Sequence, residues 1–162
     1  MITKRFSQIG TNPELTPINI IPIIEGAMNY LCSRSSKKVI YDINLPKEEE
    51  IILPINQCLL EWVLENLSKN AIDAMGGIGT LSLEMSQDNK RVIIDISDTG
   101  KGMQKKEFKK IFEAGYTTKE RGWGMGLSLA KRIIEEYHHG KIFVKQSVIG
   151  KGTTFRIMLK KL

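Results

Sequence analysis

The apolar positions fall into two periods that alternate along the chain. From Asn19 the sequence sets Ile20, Ile23, Ile24, Ala27, Met28 and Leu31 at i, i+3, i+4 and i+7 spacing, which predicts an amphipathic helix. Val39–Leu45 alternates and is β-branched, so it reads as a strand. Ile55–Met75 returns to the helical period, with a stripe of Leu60, Val63, Leu64, Leu67, Ala71 and Ala74, and Gly76-Gly77 marks its end. Thr80–Met85 and Arg91–Asp98 read as two strands joined by a turn at Ser86–Lys90. A short helix is predicted at Lys105–Phe112, a loop at Glu113–Trp123, and a helix from Gly124 or Met125 to Tyr137. Lys141–Ser147 and Thr153–Leu159 form a closing pair of strands around Gly150-Lys151-Gly152. The order α-β-α-β-β-α-loop-α-β-β predicts an α/β (α+β) two-layer sandwich. Its sheet is mixed and mostly antiparallel, with helices on one face.

Residues 1–18 are polar and hold Gly10, Asn12, Pro13 and Pro17, so they read as a connector, with one domain over 19–162. A chain of 162 residues suits a single core. No apolar run approaches the ~20 residues of a membrane helix, and no membrane contact is expected of this segment. The net charge is +6, but acidic residues are interspersed with the basic ones. The largest basic cluster, Lys105, Lys106, Lys109 and Lys110, reads as a solvated face, and no nucleic-acid partner is expected. Cys32 and Cys58 lie in helical patterns outside any Cys/His cluster, which predicts buried, reduced thiols and no metal site of that kind.

Four groups of residues carry candidate chemistry. Asn66, Asn70 and Asp73 stand at i, i+4 and i+7 and share a helix face distinct from the apolar stripe. Asn is a poor helix former, and a line of oxygen-bearing side chains suits Mg²⁺ shared with phosphate oxygens as well as it suits a polar surface. Asp98 continues the inward face of Val92, Ile94 and Ile96, where a carboxylate needs donors such as an adenine amino group. Gly100 and Gly102 after it permit close backbone approach, as does an ordinary strand-to-helix turn. Gly122-Trp123-Gly124-Met125-Gly126-Leu127 opens a helix and leaves N–H groups free for phosphate, but it is not a GxxxxGK[ST] loop. Phe112, with Thr117, Thr118 and Lys119 after it, fits either a base-and-phosphate contact or core plus loop.

Taken in order, these four groups resemble the ATP-binding domain shared by sensor histidine kinases, gyrase, heat-shock chaperone ATPases and mismatch-repair ATPases. Glu65–Ala71 resembles its N box, Asp98–Gly102 its G1 box, the surroundings of Phe112 its F box, Gly122–Leu127 its G2 box, and Gly150–Phe155 its last hairpin. The resemblance implies ATP and Mg²⁺ as ligands, with Asn70 on the metal and Asn66 near the phosphates. It implies Asp98 on the adenine amino group, Gly100 and Gly102 beneath the ring, and Glu113–Trp123 as a lid. It extends nucleotide contacts to Asp73, Met103, Phe112, Thr117, Thr118, Gly122, Gly124, Met125, Gly126, Leu127 and Thr153. The ATPase branches carry Glu where this chain has Asn66, and this favours a histidine kinase that donates phosphate to a histidine on a separate dimerisation domain and onward to a response regulator. A serine kinase of the anti-sigma type, a self-contained ATPase and a nucleotide-binding scaffold are the alternatives. Position 73 is Asp where some histidine kinases place Lys, so Lys119 or Arg121 is left to supply that charge, and Ala114-Gly115 stands where the F box often has Pro-Phe. His138 and His139 read as a helix C-terminal turn whose dipole favours cations, not as the acceptor. The segment is expected to be monomeric and cytoplasmic.

Overall fold

The computed structural model describes residues 12–47, 50–120 and 124–162. Strand β1 (Thr16–Asn19) leads into helix α1 (Ile20–Arg34), followed by β2 (Val39–Asn44), β3 (Ile52–Ile55) and helix α2 (Gln57–Ala74). Strands β4 (Gly79–Gln87) and β5 (Arg91–Asp98) form a hairpin. Two 3₁₀ turns, Lys105–Glu107 and Lys110–Phe112, precede helix α3 (Gly126–Arg132), which continues as a π-helical turn over Ile133–Tyr137. Strands β6 (Lys141–Val148) and β7 (Gly152–Lys160) close the chain.

The main sheet runs β2-β4-β5-β7-β6 and is antiparallel except where β2 meets β4. Its inner face sets Leu81, Leu83, Val92, Ile94, Ile96, Phe155 and Ile157 against Leu60, Val63, Leu64 and Leu67 of α2, all buried. The outer face mixes charged side chains with the exposed Ile40 and Phe143. Arg156 makes two 2.8 Å bonds to Asp95, and Lys145, at a bulge in β6, reaches the same carboxylate at 3.0 Å. These two cations hold the Asp95 carboxyl below its ordinary range against the opposing effect of burial. The predicted sandwich with helices on one side is therefore the fold.

The differences are local. Thr16 and Pro17 were expected in the polar connector but pair with Ile55 and Pro54 in a small antiparallel sheet. A proline in each strand hides this pairing from a propensity reading, yet edge positions tolerate it. Residue 55 ends β3 rather than opening α2, because the Asn56 side chain caps that helix at the Leu59 N–H (3.2 Å). The helix expected over Lys105–Phe112 is instead two 3₁₀ turns, the first fixed by the Glu107 carboxylate on the Gln104 N–H (2.9 Å). Its four lysines are exposed, as expected. Cys32 and Cys58 are exposed, not buried, since each lies one position, about 100° of turn, beside the helix stripe that faces the core. His138 is not a solvated cation. It is buried at 5%, its Nε2 accepts the Asn56 N–H at 3.0 Å, and its Nδ1 lies 2.8 Å from the Ile133 carbonyl. Nε2 as acceptor leaves Nδ1 as donor, so the ring is neutral, and burial pushes its pKa below the usual value.

Candidate functional site

A cavity of about 500 Å³ opens between α2, the ends of β5 and β7, the 3₁₀ turns and the loop before α3. That volume is ordinary for a small-molecule site. Its wall on one side is the predicted helix face: Asn66, Asn70 and Asp73 all line it, with Ala71 and Ala74 between them keeping the groove open. Asp98 and Thr153 line the deep end, Met103 and Leu127 the apolar walls, and Thr117, Thr118 and Lys119 the mouth. Gly124, Met125 and Gly126 complete the loop side.

At the deep end, the β5 alternation turns Asp98 inward, where it is 8% exposed. Its Oδ1 accepts from the Gly100 N–H at 2.8 Å and the Thr153 N–H at 3.3 Å. Burial pushes the carboxyl pKa up and outweighs these two donors. Oδ2 has no protein donor among the described residues, so it is the acceptor offered to a ligand. The surrounding backbone is packed so closely that glycine is required. Gly102 has φ +68°, and a Cβ there would lie 2.1 Å from the Val148 carbonyl oxygen. A Cβ on Gly100 would lie 2.5 Å from the Ala74 carbonyl oxygen, and the Lys101 N–H bonds that same oxygen at 3.0 Å. Gly100 and Gly102 therefore do not line the cavity. They clamp the Asp98 loop onto the end of α2 and the β6–β7 turn.

At the mouth, Lys119 Nζ donates to Asn70 Oδ1 at 3.2 Å and to Asp73 Oδ2 at 2.6 Å. An ammonium already stands on these oxygens, so the donor set is one that a hard cation such as Mg²⁺ fits. The Asn66 amide nitrogen is buried without a hydrogen-bond partner among the described residues. The same side chain lies against Gly126, where a Cβ would meet Asn66 Oδ1 at 2.6 Å. The loop is pinned at its base by Gly115 N–H on the Gly124 carbonyl (3.0 Å), and Tyr116 Oη bonds Glu107 at 3.1 Å. Gly122, Arg121 and Trp123 lie outside the described residues.

Phe112, expected to touch the nucleotide, does not line the cavity. It is buried and meets Phe155 edge-on, with ring centroids 6.2 Å apart, so it backs a wall that Phe155 presents. Phe155, Ile111, Tyr116 and Lys101 line the cavity without having been singled out from the sequence. Phe155 was the accessible one, because β7 alternation puts it on the same face as Thr153 and Ile157.

An apolar slot with one buried acceptor at its end and a polar, cation-bearing mouth has the make-up of a nucleotide site. Residues 56–162 match the family described as histidine kinase-, DNA gyrase B- and HSP90-like ATPase, and the chain belongs to that family. It is similar to the sensor histidine kinase ZraS of Salmonella typhimurium, 36% identical over 90% of this chain and 31% of that protein. It is similar also to sporulation kinase E of Bacillus subtilis, 44% identical over 62% of this chain and 13% of that protein. The chain thus spans about a third or less of these relatives. The solved catalytic domain of histidine kinase ThkA superposes with a TM-score of 0.82 at 26% identity, covering 92% of this chain and 97% of that one. The chain is therefore an ATP-binding domain of the kind found in sensor histidine kinases. No helix among the described residues is long and apolar enough to cross a membrane.

Proposed function

We propose that the chain binds Mg-ATP and presents the γ-phosphate to a histidine on a separate dimerisation domain, as the donor half of a two-component histidine kinase. The observation that carries this reading is the single cavity that joins Asp98 at an apolar end to Asn66, Asn70 and Lys119 at a polar one. Asp98 Oδ2 takes the adenine amino group, and Met103, Leu127 and Phe155 take the faces of the base. Asn66 and the backbone around Gly124 and Gly126 hold the phosphates, with Thr117 and Thr118 at their flank. Asn70 holds Mg²⁺, which neutralises phosphate charge when bound. Phosphoryl transfer asks the protein chiefly for positioning and charge stabilisation, and this chain's residues supply both. In the transfer a histidine nitrogen bonds to the γ-phosphorus, the bond to the β–γ bridging oxygen breaks, and ADP leaves.

Neither histidine of this chain suits the acceptor role. Both ring nitrogens of His138 are engaged by backbone, and His139 closes the turn after α3 at φ +55°. The residues before β1 then lead from the dimerisation domain, a cytoplasmic response regulator takes the phosphate from it, and the isolated segment is a monomer. The self-contained ATPase reading needs a base to activate water. Asn66 stands at the cavity where that base belongs, and Glu65 is absent from its lining. The test is to supply a cognate dimerisation domain with γ-labelled ATP. Acid-labile, base-stable label on the acceptor supports the reading. ATP binding with rapid phosphate release and no labelled acceptor refutes it in favour of the ATPase, and labelled serine on a partner refutes it in favour of the serine kinase.

A further inference from the structure

The carboxylate of Asp73 has no role in the chemistry above, yet it stands at the phosphate end of the cavity. It lies one helical turn beyond Asn70, and Lys119 Nζ bridges the two at 2.6 and 3.2 Å. The described carboxylates lining the cavity are Asp73 and Asp98, and the described cations are Lys119 and Lys101. Asp98 is buried at the far end, so Asp73 is the negative charge that a triphosphate meets at the mouth.

We propose that Asp73 is a specificity-determining residue that makes the site select metal-loaded over metal-free nucleotide, through its hold on Lys119. This rests on the Mg-ATP reading above. Without a divalent ion, the Lys119 ammonium occupies the cation position between Asn70 and Asp73. A metal-free triphosphate entering then meets a carboxylate and a lysine already paired with each other, so it gains little from the lysine. A divalent ion arriving with the nucleotide takes the place of the ammonium on Asn70. It brings two positive charges beside Asp73 and releases Lys119 towards the phosphates. The carboxylate thus opposes one form of the ligand and favours the other. Asn at this position would keep the size and the helix but remove the opposition. The pair is exposed, with side chains 58% and 44% accessible, so the contact adds little to folding and is free to exchange.

The experiment is calorimetric titration of this chain with ATP in excess EDTA and with ATP in excess Mg²⁺, for wild type, Asp73→Asn, Asp73→Glu and Asp73→Asn combined with Lys119→Met. In Asp73→Asn, metal-free ATP is expected to bind about tenfold tighter, the size of one screened charge contact, while Mg-ATP changes by less than about threefold. Asp73→Glu is expected to restore the wild-type preference, and Lys119→Met to cancel the gain made by Asp73→Asn. An unchanged ratio of the two affinities in Asp73→Asn, with Mg-ATP still bound, overturns this proposal and leaves the functional reading standing. A wild type that binds ATP in neither condition overturns both. Equal thermal melting midpoints across the variants show that the ratio, not the fold, has changed.

Discussion

Asp98→Asn separates the stability of the site from its use. In the native protein Oδ1 takes both backbone donors, from Gly100 and Thr153, and Oδ2 faces the cavity. An asparagine oriented the same way keeps its oxygen on those two N–H groups and turns its NH₂ into the cavity. The adenine amino group then meets a donor where it needs an acceptor. Loss of a hydrogen bond to a charged group costs about 1.5–3 kcal/mol, and a buried donor left unmet costs about 1–3 kcal/mol more. Together they amount to roughly 2.5–6 kcal/mol, a loss of about two to four orders of magnitude in affinity. The effect on folding has the other sign. Burial raises the Asp98 pKa above its unfolded value of 3.8, so the folded state holds the proton more tightly. Stability therefore falls as pH rises from about 3.8 through the folded pKa, and at neutral pH the buried carboxylate is a net cost. Removing the charge is expected to leave the melting midpoint at pH 7 unchanged or higher. Calorimetry with Mg-ATP and a thermal melt on the same sample read the two effects. Binding within threefold of wild type refutes the adenine assignment, and a midpoint several degrees lower shows that Asp98 serves the fold instead.

Other residues carry expectations of their own. His138 has a folded pKa below its unfolded 6.5, so the unfolded chain binds more protons in that window. The urea midpoint should hold above about pH 7 and fall as pH drops through 6.5, and His138→Gln should lose that slope; parallel slopes in the two proteins would dismiss the buried neutral imidazole. Gly102→Ala, at φ +68° with a carbonyl oxygen 2.1 Å from the new Cβ, should destabilise by at least about 2 kcal/mol in urea, and a cost below about 0.5 kcal/mol contradicts the close packing. Asn66→Ala removes the orphaned amide, so the free protein should melt no lower while Mg-ATP affinity falls about tenfold; a lower midpoint with intact binding would mean the amide supports packing.

Much of this was legible in the sequence because two periods reported it. The i, i+4, i+7 line of Asn66, Asn70 and Asp73 survives into the fold unchanged, since a long helix with a strong apolar stripe has its rotation fixed by the core. Asp98 was legible for the same reason in a strand, where an inward carboxylate breaks an inward run of Val92, Ile94 and Ile96. What escaped has a physical cause in each case. The β1–β3 pair is short and carries a proline in each strand, so its pairing across 35 residues leaves no local trace. Gly100 and Gly102 read as room for a flat ring, but the space beside them is filled by the carbonyls of Ala74 and Val148, which belong to distant segments. Phe112 fits either a base contact or the core on spacing alone, and it lies in the core. Its partner Phe155 lies 43 residues on, and one-dimensional spacing does not say which of the two rings faces the ligand.

The division of the cavity wall follows from this. On one side, Asn66 and Asn70 project from α2, whose core stripe of Leu60, Val63, Leu64 and Leu67 is fully enclosed, and Asp98 ends the inward face of β5 that also carries the enclosed Ile94. The backbone that carries these side chains is held by the core. On the other side, residues 116–120 are held by few bonds, the half-buried Tyr116–Glu107 contact and the exposed Lys119 bridge among them. Only that side must be ordered on binding, which confines the entropic cost to a short stretch. It also assigns the two kinds of work. Under the proposed function, recognition of the base falls to the wall held by the core, where Asp98 offers an acceptor, and the response to phosphate and metal falls to Lys119, whose partners on α2 are exposed.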